Sequence, residues 1–304
     1  MLGLLVKFGV CELIDSYVMK VLLIAFNRPD LTRTVLSRIT EAKPDILYVF
    51  ADGPRLGHHE DIGKCERVRE VICERESFIN MKVRFQERNM GPLYSVKCAL
   101  DWYFDQEEEG IIIEDDCLPE LSFFHFCEEL LSKYGPSENI FMVSGSNFIP
   151  DFPMQASYIF SRLALIWGWA TWKRSWKKFD ASMKEWPNYV STKDLGYFGK
   201  KEKLVYSLIN QQYLNPQLRT WGVLWRATFL VNKGLSIIPK RNLVRNMGFG
   251  HPDATYHKEY HKVSEVPVEP IDFPLTHPSN ISPDAVFDER SLDFYYDEKS
   301  SVCS

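Results

Sequence analysis

From Val21 onward the chain alternates between two periods. Val21-Leu22-Leu23-Ile24-Ala25-Phe26 is an unbroken apolar run of strand length, Asn27-Arg28-Pro29-Asp30 breaks it, and Leu31, Val35, Leu36 and Ile39 follow at helical spacing. This pattern predicts strand, turn and helix, and it repeats. Ile46 to Ala51 reads as a strand, Asp52-Gly53-Pro54 as a turn and Glu60 to Glu76 as a helix. Lys82 to Gln86 is a third strand, and Leu93 to Tyr103 a helix opened by Gly91-Pro92. Gly110 to Ile113 is a fourth strand that stops abruptly at Glu114-Asp115-Asp116, followed by a helix over Ser122 to Tyr134 and a buried strand over Ile140 to Ser144.

Strands apolar at every position, separated by helices, indicate an α/β fold with a mostly parallel sheet covered on both faces. Ligands of such sheets sit at the carboxyl ends of the strands. The polar residues there, Asn27, Arg28, Asp52 and Glu114 to Asp116, are therefore the first site candidates. After Asn147 the pattern changes: residues 150–190 are rich in aromatics, and 191–219 form a polar helical excursion. A short helix around Leu224 to Val231 and a strand over Leu235 to Ile238 come next. The tail from Pro252, with Pro267, Pro270, Pro274, Pro278 and Pro283, is expected to run over the surface as extended chain.

Composition narrows the class. With 304 residues, 45% hydrophobic and 25% charged, the chain can bury a core, which argues against disorder and coiled coil. Its net charge of −5 supplies no basic field, so no nucleic-acid partner is expected. The 7 cysteines are scattered without a Cys-x-x-Cys pair, the pattern of reduced thiols in a cytoplasmic protein. Met1 to Val10 is apolar but broken by Lys7 and shorter than the roughly 20 residues of a membrane span, so no integral membrane segment is expected. Residues 1–18 are read as an N-terminal extension. Aromatics reach 14% with 8 tryptophans, a surplus that either thickens the core or lines a site for flat ligands.

The acidic triplet carries the strongest chemical signal. Ending a buried strand in Glu114, Asp115 and Asp116 costs electrostatic repulsion that a divalent cation, Mn2+ or Mg2+, would remove. The plain alternative is a solvated acidic strand end.

Taken in order, Val21 to Arg28, Ala51-Asp52-Gly53, Asn89-Met90-Gly91, Ile113 to Asp116 and Gly168-Trp169-Ala170-Thr171-Trp172 resemble bacterial nucleotide-diphospho-sugar transferases, distant relatives of the eukaryotic N-acetylglucosaminyltransferase I group. The resemblance covers residues 20–260 and implies a GT-A (Rossmann-like) fold. It divides the chain into a nucleotide-sugar-binding half (20–147), an aromatic-rich acceptor-binding half (148–260) and an extended tail (261–304). Asp116, the last acid of a DXD-type motif, would hold the metal against the donor diphosphate, with Asp115 near the ribose or sugar and Glu114 supporting. Asn27, Arg28 and Asp52 would hold the uridine and phosphates, and Asn89, Gly91 and Lys97 would lie against the donor. For Asn27 a helix start, and for Asp52-Gly53 an ordinary turn, are the competing readings.

Trp167, Trp169, Trp172, Trp176 and Trp186 crowd twenty positions, and Trp169, Trp172 and Trp176 have the spacing of one helical face. Trp172 and Trp176 are read as core, and Trp167-Gly168-Trp169 as a stacking wall for an acceptor sugar. Inverting transfer needs a carboxylate base. In the related transferases it follows a Trp in a segment that corresponds here to Thr220-Trp221-Gly222-Val223-Leu224-Trp225, where Gly222 stands in place of the acid. Trp221 is placed at the acceptor. The nearest replacement base is Asp253, with His251 beside it; Asp180 and Glu185 are weaker candidates, and His58, His59, His257, His261 and His277 receive no role.

The resulting expectation is a metal-dependent, inverting glycosyltransferase that moves a sugar from a UDP-sugar to a glycan or lipid-linked acceptor in polysaccharide biosynthesis. It would be cytoplasmic and meet the inner membrane only through that acceptor. The alternatives are an inactive GT-A-like nucleotide-sugar or glycan-binding module, suggested by Gly222, and a sugar nucleotidyltransferase. The latter should carry a Gly-rich basic loop after the first strand, where only Arg28 is basic.

Overall fold

A computed structural model of the chain describes residues 18–75, 80–192, 198–254 and 259–296. The expected extension over residues 1–18 lies outside them but for Val18, as does His257. The first half is strictly alternating: β1 (Lys20–Ala25), α1 (Pro29–Ala42), β2 (Ile46–Ala51), α2 (His59–Cys73), β3 (Met81–Phe85), α3 (Gly91–Phe104) and β4 (Glu109–Glu114). Then come β5 (Cys117–Pro119), α4 (Ser122–Tyr134), β6 (Ile140–Ser144), β7 (Tyr158–Ser161), β8 (Trp169–Trp172), α5 (Lys173–Trp176), α6 (Trp186–Thr192), α7 (Glu202–Leu214), α8 (Trp221–Asn232), β9 (Leu235–Pro239), β10 (Val244–Asn246) and α9 (Ala285–Tyr296).

Eight strands form one sheet in the order β3-β2-β1-β4-β8-β6-β9-β7, and β5 pairs with β10 in a separate ribbon. The large sheet is mostly parallel. Only β8, antiparallel to β4 and β6, and β7, antiparallel to β9, run against the rest. Side chains alternate across a strand, so each apolar run feeds two cores. Leu22, Ile24, Tyr48, Phe50 and Ile112 face a layer containing α3 and α8. Val21, Leu23, Leu47, Val49, Ile111 and Ile113 face a layer containing α1, α2 and α4. This two-sided burial is why the strands carry no polar alternation.

Two expectations about local structure are corrected. Trp169, Trp172 and Trp176 do not share a helical face: Trp169 to Trp172 form β8, and α5 begins only at Lys173. Trp169 therefore points into one layer, while Ala170 and Trp172 point into the other. The tail is not extended throughout. After its proline-rich stretch it forms α9, which buries Phe287, Asp288, Ser291 and Leu292 against the second half of the chain.

Candidate active site

The parallel register brings the ends of three strands together. Ala25 lies opposite Ala51, and Ile24 opposite Glu114. The ladder continues one step beyond, with the Asp52 amide donating to the Ala25 carbonyl and the Asp115 amide to the Ile24 carbonyl, both at 2.9 Å. Asn27, Arg28, Asp52 and the acidic triplet therefore meet in a single cavity of about 490 Å³.

Arg28 is the hinge of this end. Its Nη1 donates to Asp116 Oδ2 at 2.9 Å, its Nη2 donates to Asp115 Oδ1, and the Phe26 amide donates to Asp115 Oδ2 at 3.1 Å. Burial opposes the Arg28 charge, but the two carboxylates outweigh it and hold the guanidinium above its ordinary range. Burial and the neighbouring acids push Glu114 up to about 8, and burial raises Asp115 even though Arg28 opposes it. Beside these acids runs the β5–β10 ribbon, in which Asn246 pairs with Cys117 and the Met247 amide donates to the Asp116 carbonyl at 2.7 Å. A Cβ at Gly248 would fall 2.4 Å from Asp116 Oδ2. The glycine thus keeps open the space around that oxygen.

Asn27 and Asp52 have distinct local duties. Asn27 Nδ2 donates to Asp61 Oδ1 at 2.9 Å, which fixes the amide's orientation, and its own Oδ1 is buried in the cavity wall without a partner among the described residues. Asp61 is gripped by Arg55 Nε at 2.6 Å, and that contact pulls its carboxyl down to about 2. The Asp52 carboxylate accepts from the Met90 amide at 3.1 Å and the Asn89 side chain at 3.0 Å, tying β2 to the start of α3. Burial pushes Asp52 up to about 6.

The cavity extends from these strand ends to a second wall made by Phe148, residues 163–167, the start of α8 and α9. Phe148 stacks on Tyr295 with ring centroids 5.6 Å apart. Trp221 lines this wall and stacks at 5.6 Å on Trp169, which lies behind it, 1% exposed and outside the lining. Trp169 is thus a support of the wall and not its surface, because Trp221 covers it from the cavity side. Gly222 lines the cavity at the second residue of α8.

Among the remaining expected residues, Asp253 lines the cavity, with Oδ1 2.5 Å from Lys64 Nζ on α2. His251 supports that segment from outside the lining: its Nδ1 accepts from the Asp253 amide at 3.1 Å, and its Nε2 lies 3.3 Å from Asp30. Lys97 is drawn off along α3 to Asp101, at 2.5 Å, and does not reach the cavity. Gly91 does not line it either. No atom crowds a Cβ there, and its φ of +74° at the start of α3 is what calls for glycine. Residues that sequence reasoning left out include Arg55, Ser95, Asn246, Arg226 and the α9 side chains.

The carboxylates at this end are oxygen donors of the kind a hard divalent cation takes. Arg28 pairs with Asp115 and Asp116, and Glu114 and Asp116 both line the cavity. Among the described residues no three His, Cys, Asp or Glu side chains gather closely enough to enclose a metal. A cation here would be held through one or two carboxylates with its other positions open, the habit of Mg2+.

No family model and no curated protein matches the chain. Among solved structures it is similar to a mannosyltransferase from Pyrobaculum calidifontis in complex with GDP-Man and Mn2+, at 11% identity over 70% of this chain and 69% of that one, with a TM-score of 0.40. An inositol-1-phosphate CTP transferase from T. maritima is 13% identical over 82% and 96% of the two chains, with a TM-score of 0.36. A UTP-bound UGPase from Acinetobacter baumannii is 10% identical over 78% and 95%, with a TM-score of 0.34. At these values the likeness extends no further than coarse α/β architecture. Among the described residues no helix is long and apolar enough to cross a membrane.

Proposed function

We propose that the chain is a metal-dependent glycosyltransferase that moves a sugar from a UDP-sugar onto a glycan or lipid-linked acceptor with inversion. The observation that carries this reading is the cavity itself. The ends of β1, β2 and β4 contribute an acidic cluster and an unpartnered amide acceptor at one end, and a wall of aromatics faces them at the other. Asn27 Oδ1 accepts from an N–H or hydroxyl of the donor's nucleoside, since a buried acceptor left unmade costs about 1–3 kcal/mol. Asp52 and Asn89 shape the same end. Asp116, with Glu114 beside it, would hold the cation, and Arg28 orients Asp115 and Asp116.

When bound, the cation offsets charge developing on the leaving diphosphate. The acceptor hydroxyl must lose its proton as it attacks, and Asp253 takes it. Once the nucleoside-end Asp52 and the acidic triplet are assigned, Asp253 is the one carboxylate left in the cavity lining among the described residues. Its Oδ1 is held 2.5 Å from Lys64 Nζ, which fixes where the carboxylate sits in the cavity. Trp221 and Phe148 offer apolar faces to the acceptor ring.

A second reading, binding without turnover, is favoured by two observations: Gly222 stands where the resembled family has its acid, and Arg28 already occupies the two aspartates. Incubation with UDP-glucose, UDP-galactose and their N-acetylhexosamine counterparts plus Mn2+ separates the two. Release of UDP supports the transferase; binding of UDP with no release from any donor supports the binder.

A further inference from the structure

The second wall of the cavity contains a cation that the reading above does not use. Arg226 is the one charged residue of α8 (Trp221–Asn232), and it lines the cavity. Its Nη1 donates to the Tyr296 hydroxyl at 3.1 Å, while its Nε is buried with no partner among the described residues. Among the described residues no Asp or Glu pairs with it; the neighbours that act on its charge are Tyr295 and Tyr296. Ser291 on α9 lines the same wall at 1% exposure, and among the described residues its Oγ has no partner either. A buried guanidinium without a counter-ion is costly, and a planar fork of donors matches the oxygens of a carboxylate or phosphate. Two unpartnered donors at one wall are what an anionic group would satisfy.

We propose that the acceptor carries an anionic group, the carboxylate of an acidic sugar or a phosphate ester, and that Arg226 and Ser291 bind it. This rests on the glycosyltransferase reading for the word acceptor, but the anion site itself does not. Arg226 belongs to the α8–α9 wall and not to the strand ends where the diphosphate is placed, so nucleotide binding is independent of it. The neutral ring of the same acceptor lies on Trp221 and Phe148, and the anion sets which way round it enters.

Saturation-transfer NMR on the full chain with glucuronic acid, glucose 6-phosphate and glucose tests this, with UDP plus Mn2+ titrated in parallel. The expected result is that one or both acidic sugars bind and glucose does not, and the two acidic probes distinguish carboxylate from phosphate. Arg226→Gln should weaken the bound acidic sugar about tenfold or more, Ser291→Ala should weaken it less, and Arg226→Lys should partly restore it. UDP affinity should be unchanged in all three. Equal binding of glucose, or acidic sugars held equally well by Arg226→Gln and Ser291→Ala, would overturn the anion site. Weakened UDP binding in Arg226→Gln would reassign the arginine to the donor and also overturn it. Failure of UDP to bind the parent chain, with acidic sugars still dependent on Arg226, would remove the transferase reading and leave the anion site standing.

Discussion

Removing Arg28 tests the electrostatic design of the acidic end. Its guanidinium spans Asp115, whose side chain is 2% exposed, and Asp116, at 15%. Arg28→Gln would leave Asp115 buried, with one backbone hydrogen bond from Phe26 and no counter-ion. Breaking a buried pair on one side costs about 3–5 kcal/mol. In a domain of this size each kcal/mol moves Tm by roughly 2–4 °C, so the variant should melt on the order of 10 °C lower. Asp115→Asn should cost less, since Arg28 keeps Asp116. The double variant should be more stable than the sum of the two losses allows, with a coupling of about 1–3 kcal/mol, because the second change removes the charge that the first stranded. Urea unfolding of the four proteins supplies the cycle. Additive losses, or an Arg28→Gln variant as stable as the parent, would refute the claim that the arginine holds the triplet together.

Asp253→Asn should lower turnover by about a hundredfold or more while leaving UDP affinity unchanged, measured as UDP release and by calorimetry; unaltered turnover would move the base elsewhere. Gly248→Ala should weaken UDP binding in the presence of Mn2+ with little loss of Tm, because the new methyl would sit 2.4 Å from Asp116 Oδ2 and displace that carboxylate. Asp52, held at about 6 against an ordinary 3.8, binds its proton more readily folded than unfolded. Its contribution to stability is therefore most favourable below pH 4 and declines as pH rises through 4 to 6, and Asp52→Asn should remove that part of the slope in urea titrations at pH 4.5 and 7. Asp61 acts in the opposite sense: held at about 2 by Arg55, it adds stability above pH 3.8 that is lost as pH falls toward 2, so Asp61→Asn should flatten the acid limb.

The strand ends were legible because their signal is local. An apolar run that stops at Asn27, Asp52 or Glu114 marks where a buried strand meets solvent, and parallel pairing then places those stops side by side. The tryptophan segment was misread because spacings of three and four fit a helix as well as they fit a strand that turns into one. In β8 the alternation sends Trp169 to one layer and Trp172 to the other, so the spacing decided nothing. Asn246 and Gly248 reach the acids only through the β5–β10 pairing, a contact between segments far apart in the chain. The helix α9 was obscured by the prolines before it and by its own charges, since only a narrow stripe through Phe287, Ser291 and Leu292 is buried. Arg226 did leave a readable mark: a lone charge in the apolar stretch Trp221 to Asn232 calls for a partner.

Calorimetric titration of UDP into the chain, first with Mn2+ and then with EDTA, bears most directly on the account, with Asp116→Ala alongside. The expected result is binding that requires Mn2+ and disappears in Asp116→Ala. Absence of UDP binding under both conditions, or equal affinity with EDTA and in the variant, would contradict it.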